Sequence, residues 1–309
     1  MVCLQLSNRQ SGYISPVIDL AKYALIGTLV VDVKEKGWVM IVEQIGASTI
    51  ATVTETGQFA RFIWRSAKSS VSSVFRGKTW PLVFTQMLII GVKSVPVIMV
   101  TGAFVGMTLA FQAYDQLAGM GLGEHIGILI NLSVVSELGP VLSAVMLSGR
   151  VGGALTAELG TMHVTEQIDA ISSMGTDPVR YLVAPRILAC LLLTPVLIVY
   201  ADLMGSFGGY AISVWFFKIN SQAYWQFTAY GVTLWDVMVG LTKGFFFGAA
   251  IAAISCYKGF NCKQGAQGVG QACTEAFVVS FIAILALDFA AAIISKSLYS
   301  IFYPIRSLI

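Results

Sequence analysis

Five stretches of this chain, residues 85–111, 126–149, 187–215, 237–257 and 277–302, each hold about 20 or more mostly apolar residues. A segment of that length and composition has few ways to fold. Its backbone N–H and C=O groups must bond within the segment, which leaves an α-helix crossing a bilayer. A transmembrane β-barrel would instead show weak alternating segments of about ten residues. The chain is 56% hydrophobic and 11% charged over 309 residues, with mean hydropathy +0.78. It reads as an all-α polytopic membrane protein with about five spans.

Basic residues in the short loops set an expected orientation. Arg61, Arg65, Lys68, Arg76 and Lys78 precede the first span, Arg150, Arg180 and Arg186 lie between the second and third, and Lys258 and Lys263 follow the fourth. The loop after the first span has Asp115 and Glu124 but no Lys or Arg, and the long loop after the third has only Lys218. The N-terminus is therefore expected in the cytosol and the C-terminus on the outer side. Cys3, Cys256, Cys262 and Cys273 then fall on the cytosolic side and Cys190 near it, where thiols stay reduced. Their spacing has no CxxC and no neighbouring histidine, so neither a disulfide framework nor a metal site is expected.

The chain divides into an N-terminal cytosolic extension over residues 1–44, an interfacial helical segment over 45–80, the membrane domain over 81–303 and a tail over 304–309. Residues 23–33 are apolar but too few to span. Phe59, Phe62, Ile63 and Ser66 share one helical face, opposite Arg61, Arg65 and Lys68. That pattern predicts an amphipathic helix lying in the membrane interface; the alternative is a solvated helix leading into the first span. A turn over residues 77–80 and Pro81 mark the entry into the bilayer. Small-residue pairs at four-residue spacing (Gly102/Gly106, Gly149/Gly153, Gly205/Gly209, Gly244/Gly248) predict close helix packing.

Charges within spans are costly and face protein or a cavity. Lys93 and Arg150 lie near enough to span ends to snorkel. Glu137, Asp202, Lys243 and Asp288 lie near the midplane, so Lys243 is expected to neutralise one or more of the three acids. The result is either a structural polar network or a substrate path. Pro140, just beyond Glu137, is expected to bend or break the second span.

Between the second and third spans, Thr165 is expected to cap a helix of about ten residues carrying Ile168, Ile171 and Met174. Glu166 and Asp169 suit its first turn, and Gly175 with Asp177-Pro178 stops it. Its apolar strip either docks a partner or folds back on the membrane domain. No GxxxxGK[ST] is present, and the Gly265–Gly270 run has the wrong order for a nucleotide loop. The chain's only histidines are His125 and His163, with no HExxH or GxSxG, so no intramembrane enzyme is indicated. An ion- or proton-coupled secondary transporter of a hydrophobic substrate is the alternative class, against which the absence of an evident repeat counts.

Glu137-Leu-Gly-Pro140, Gly149-Arg150-Val-Gly152, Ala157-Glu158-Leu-Gly160, the run from Thr165 to Ala170, and Met174-Gly175-Thr-Asp177-Pro178 closely resemble the MlaE/YrbE permeases of MCE-associated ABC transporters. Asp288-Phe289 and the Gly265–Gly270 run fit the same pattern. Some members have arginine where this chain has Ser136, so no Arg-Glu pairing is carried over. The resemblance implies a homodimer in a bacterial inner membrane, moving lipid and most often phospholipid. ATP would be held by separate cytosolic ATPase subunits, this chain binding no cofactor. An MCE-domain protein would sit on the outer face and a STAS-domain protein on the ATPase, with no nucleic-acid partner. Glu158, Glu166, Ile168, Asp169, Ile171, Met174 and Gly175 would form the coupling region, and Glu137, Pro140, Asp202, Lys243 and Asp288 the intramembrane network or substrate path.

Overall fold

The computed structural model describes residues 49–50, 53–70 and 80–302, all the regular elements among them being helical. The expectations for residues 1–44, 77–79 and 304–309 lie outside these residues. The chain separates into two compact units, Met1–Arg61 and Phe62–Ile309. In the first, residues 53–61 are helical, with Phe59 half-buried and Arg61 exposed. In the second, α1 covers residues 62–70. Then follow α2 (Trp80–Gly119), α3 (Gly123–Val164), α4 (Gln167–Ser173), α5 (Val179–Phe216), α6 (Ser221–Gly231), α7 (Leu234–Phe260) and α8 (Ala266–Phe302).

Five of these, α2, α3, α5, α7 and α8, are long and apolar enough to cross a bilayer. Each extends beyond its apolar stretch because helix-compatible residues continue past the hydrocarbon region. α5 is the hub: it packs most extensively on α2 and next on α7, while α7 also holds α3 and α8. In its most apolar window 72% of residues are buried, against 22% in α2 and 11% in α8. The outward faces of α2 and α8 are therefore left for acyl chains or another subunit.

Small residues set the α2–α5 contact. A Cβ on Gly106 would overlap the Gly205 carbonyl, and one on Gly208 the Ala103 carbonyl. Gly102 lies nearly as close to Ala201, with 2.5 Å from a Cβ to the Ala201 carbonyl oxygen. Gly244 and Gly248 serve the same purpose where α7 crosses α5 at Pro195 and Cys190. The expected pair Gly149/Gly153 does not: Gly149 makes ordinary contact with Phe277, and a Cβ on Gly153 would meet nothing within 4 Å. The tight position there is its neighbour Gly152, whose Cβ would lie 2.8 Å from Ser255 Oγ. A four-residue spacing does not reveal which face of the helix meets a neighbour.

α6, which the sequence reading did not anticipate, braces the end of the bundle opposite α4. Its start is capped by Asn220, whose side chain accepts the Gln222 N–H at 2.9 Å. Its one fully buried side chain, Tyr224, takes a hydrogen bond from Asn131 of α3 at 3.0 Å. Burial pushes the Tyr224 phenol up to about 12, and the bond from Asn131 holds it back. Tyr224→Phe is expected to lower stability by about 1 kcal/mol, the net worth of one such bond. A thermal-shift assay in detergent would register it, and an unchanged midpoint would remove the bond from the account.

Candidate functional site

α7 carries Lys243 into the middle of the bundle, where the residue is 1% exposed. Its ammonium donates to Glu137 Oε2 at 2.7 Å and to the Ser136 carbonyl at 3.0 Å, both on α3. Asp288 Oδ1 on α8 lies 2.9 Å away, a charge contact without the alignment of a directed hydrogen bond. Three oxygens from two other spans thus surround a three-proton donor. One cation facing two carboxylates leaves a formal charge of −1. Glu137 keeps 49% of its side chain exposed, so the excess negative charge faces outward from the isolated chain.

Asp202, the third acid, is not in this group. It lies over Gly139, where a Cβ would overlap its Oδ1, and that oxygen is buried without a hydrogen-bond partner. Equal depth in the membrane does not bring groups together; rotation about the helix axis also has to match. Pro140 is buried against α7, with Gly240 making room for its ring. No break occurs there: α3 runs on, and a widened π turn over Val134–Leu138 precedes the proline and turns Glu137 and the Ser136 carbonyl toward Lys243. Lys93 and Arg150 are exposed and outside the cluster.

At the other candidate region α4 is seven residues long, shorter than expected, and Thr165 does not cap it. The Thr165 hydroxyl bonds back to the Thr161 carbonyl because α3 persists to Val164. Glu166 occupies the cap position with φ 58°, and its side chain makes no capping bond. The stop is as expected. Gly175 has φ 76°, and bonds from Gly175 N–H to Ser172 and from Thr176 N–H to Ile171 close a Schellman turn. Asp177 then joins three segments: Oδ1 accepts the Val179 N–H at 3.1 Å and Oδ2 accepts from Arg65 of α1 at 3.0 Å.

The apolar strip of α4 divides. Ile168 is buried and Ile171 packs on the same core, whereas Met174 is 74% exposed. Glu166, Asp169 and Ser173 are exposed beside it. Glu158, on α3, pairs with Arg186 of α5, which is 4% exposed. In α1, Phe62 packs edge-on against Tyr257 at 5.5 Å and also against Phe260, and Ser66 is buried; Ile63 and Lys68 are exposed. The half-buried and buried positions Phe62 and Ser66 share the face expected to be apolar, and here that face meets α7.

The sequence profile of the family described as Permease MlaE matches residues 83–294, which reach into all five spans. The chain belongs to the MlaE permease family. This MlaE-family permease is 40% identical over 246 residues to a probable ABC transporter permease protein of Rickettsia felis, covering 79% of this chain and 93% of the relative. It is 36% identical over 213 residues to the intermembrane phospholipid transport system permease protein MlaE of Haemophilus influenzae, covering 69% and 82%. It is 33% identical over 237 residues to protein TRIGALACTOSYLDIACYLGLYCEROL 1, chloroplastic, of Arabidopsis thaliana, covering 74% and 68%. It is a multi-pass membrane protein and the permease subunit of an ABC transporter, a transport component distinct from the ATPase.

Proposed function

We propose that this MlaE-family permease works as a homodimer that moves phospholipid between a bacterial inner membrane and an MCE-domain protein on the outer face. ATP hydrolysis by a separate cytosolic ATPase, engaged through α4, drives it, and a STAS-domain protein associates with that ATPase. The Haemophilus influenzae relative, an intermembrane phospholipid transport permease, supports the choice of cargo. One observation in this chain carries the reading: Glu137, half-exposed in the middle of an apolar span. An anionic carboxylate does not face acyl chains in isolation, so this wall borders a polar-lined cavity or a second copy. Beside it, a mostly apolar groove of about 430 Å³ runs along Thr101, Phe104, Val105, Thr108 and Leu138.

Reconstitution of the permease with its ATPase and MCE partner tests the whole reading. ATP-dependent transfer of labelled phospholipid, from a complex holding two permease copies, is the expected result. A single copy by native mass spectrometry would overturn the dimer, and co-purified lipid lacking phosphate would overturn the cargo.

The divided strip on α4 gives a sharper test of coupling. Met174→Asp with Asp169→Lys is expected to cut co-purification of the ATPase at least about tenfold while leaving permease stability within about 0.5 kcal/mol, because both side chains are exposed. Ile168→Asp instead buries a charge and is expected to unfold the α3–α4 corner. Undiminished ATPase capture by the double variant would remove α4 from the coupling surface.

A further inference from the structure

At the end of the bundle that carries α4, a cleft of about 250 Å³ opens between the first turns of α2 and α5, lined by Pro81, Thr85, Gln86, Tyr181, Pro185 and Arg186. It is separate from the Lys243 cluster and from the exposed face of α4. Arg186 is its unusual member. Nη1 donates to the Leu182 carbonyl at 2.8 Å and Nη2 to Glu158, but Nε is buried and has no acceptor among the described residues. A shielded guanidinium N–H without an acceptor is unfavourable; an oxyanion in the cleft relieves it once a small shift of the cleft wall opens that edge of the fork. Gln86 and Tyr181, on the two walls, add an amide and a phenol for which no hydrogen bond is formed within the described chain.

The depth and the wall below the cleft indicate what the oxyanion belongs to. Trp80 and Tyr181 are 48% and 51% exposed at this level, as side chains of a headgroup belt are. From the cleft toward the membrane centre, the face of α2 that bears Thr85 and Gln86 continues through Ile89 and Val92, both exposed, which forms an apolar track. A polar seat with one unused cationic donor, continuous with an apolar track about two turns long, has the form of an amphiphile's site. We infer that this cleft seats the phosphate of one phospholipid from the leaflet on the α4 side, its acyl chain lying along Ile89 and Val92. The seat depends on the chain spanning a bilayer and not on the identity of the transported cargo. The bound lipid clamps the start of α2 to Arg186, and through Arg186 to Glu158 on α3, so it ties the surrounding leaflet to the corner that bears α4.

The test is native mass spectrometry of the full chain purified in maltoside detergent, stripped of lipid, and titrated with dioleoyl-phosphatidylglycerol. One lipid per protomer is expected to persist in the wild type. Arg186→Gln, and separately the rim variant Gln86→Leu with Tyr181→Phe, which leaves the Arg186–Glu158 pair intact, are each expected to weaken that retention about tenfold or more. Equal retention by the wild type and the rim variant would overturn the seat. Retention of dioleoylglycerol as strong as that of phosphatidylglycerol would also overturn it, since the apolar track alone would then explain binding. Displacement of the lipid by millimolar inorganic phosphate would reassign the cleft to free phosphate. Labelled-phospholipid transport, measured in parallel, separates the two readings: the seat survives if transport of phospholipid is absent, and transport survives if the seat is empty.

Discussion

Lys243→Met is expected to destabilise the permease by about 3 kcal/mol and to abolish ATP-driven transport. Removing one member of a buried ion pair typically costs 3–5 kcal/mol, because the remaining charge is left in a medium that does not solvate it. Here two carboxylates remain, Glu137 and Asp288, and each stood within 3 Å of the lost ammonium. The half-exposure of Glu137 places the effect at the lower end of the range. The companion variants decide which acids matter. Adding Glu137→Gln and Asp288→Asn to Lys243→Met is expected to recover most of the stability. Adding Asp202→Asn is expected to recover none, since Asp202 lies under α3 at Gly139 and away from the lysine. Thermal unfolding in detergent reads all three variants, and rescue by Asp202→Asn would show that the charge cluster is wrongly assembled here. Transport separates structure from mechanism: a triple-neutral variant that folds but carries no lipid would put the charges on the cargo path.

The second large effect comes from Gly106. Gly106→Ala is expected to cost about 3 kcal/mol or more, although alanine favours a helix over glycine by about 1 kcal/mol. The added methyl would land on the Gly205 backbone carbonyl, which cannot rotate aside as a side chain would. α2 and α5 would have to separate along their whole contact, the most extensive in the bundle. Gly153→Ala is the control. Its Cβ meets nothing within 4 Å, so only the propensity gain remains and stability should hold or rise slightly. A neutral Gly106→Ala measured by the same thermal assay would show that this contact is looser than described.

These two sites also show what was readable from sequence. The number of spans was readable, because hydrocarbon thickness demands about 20 apolar residues whatever the helices pack against. That Lys243 would find an acid was readable from the cost of a lone charge at that depth. Which acids it would find was not, since Glu137, Asp202 and Asp288 differ in azimuth, and azimuth is set by where glycines such as Gly139 and Gly205 admit a neighbour. The stop of α4 at Gly175 was legible because only a left-handed residue closes that turn. Its start was not, because the small residues that extend α3 past the membrane take the Thr165 hydroxyl for their own last turn. For α6, Asn220 as a cap and the spacing of Tyr224, Phe227 and Thr228 were the available signals, easily read as ordinary loop sequence. Arg186 gave no sign at all: an unused nitrogen is visible only when the rest of the guanidinium is accounted for.

The Lys243 cluster also bears on how the chain is made. Its three charges lie on three different spans, and Glu137 precedes Lys243 by 106 residues. At about 5–20 residues per second of synthesis, Glu137 is emitted roughly 5–20 s before its counterion exists. During that interval α3 must enter the bilayer with an unneutralised carboxylate at its centre, at an insertion cost of about 2.5–3.5 kcal/mol if it is charged. α3 also has the lowest mean hydropathy of the five spans, 1.7, whereas α8, which brings Asp288 last, has 2.6. The least greasy span is thus the one that waits longest for its partner. Newly made chains halted before residue 243 should therefore be the form most open to membrane quality control, and the finished bundle the first form in which all five helices are secure.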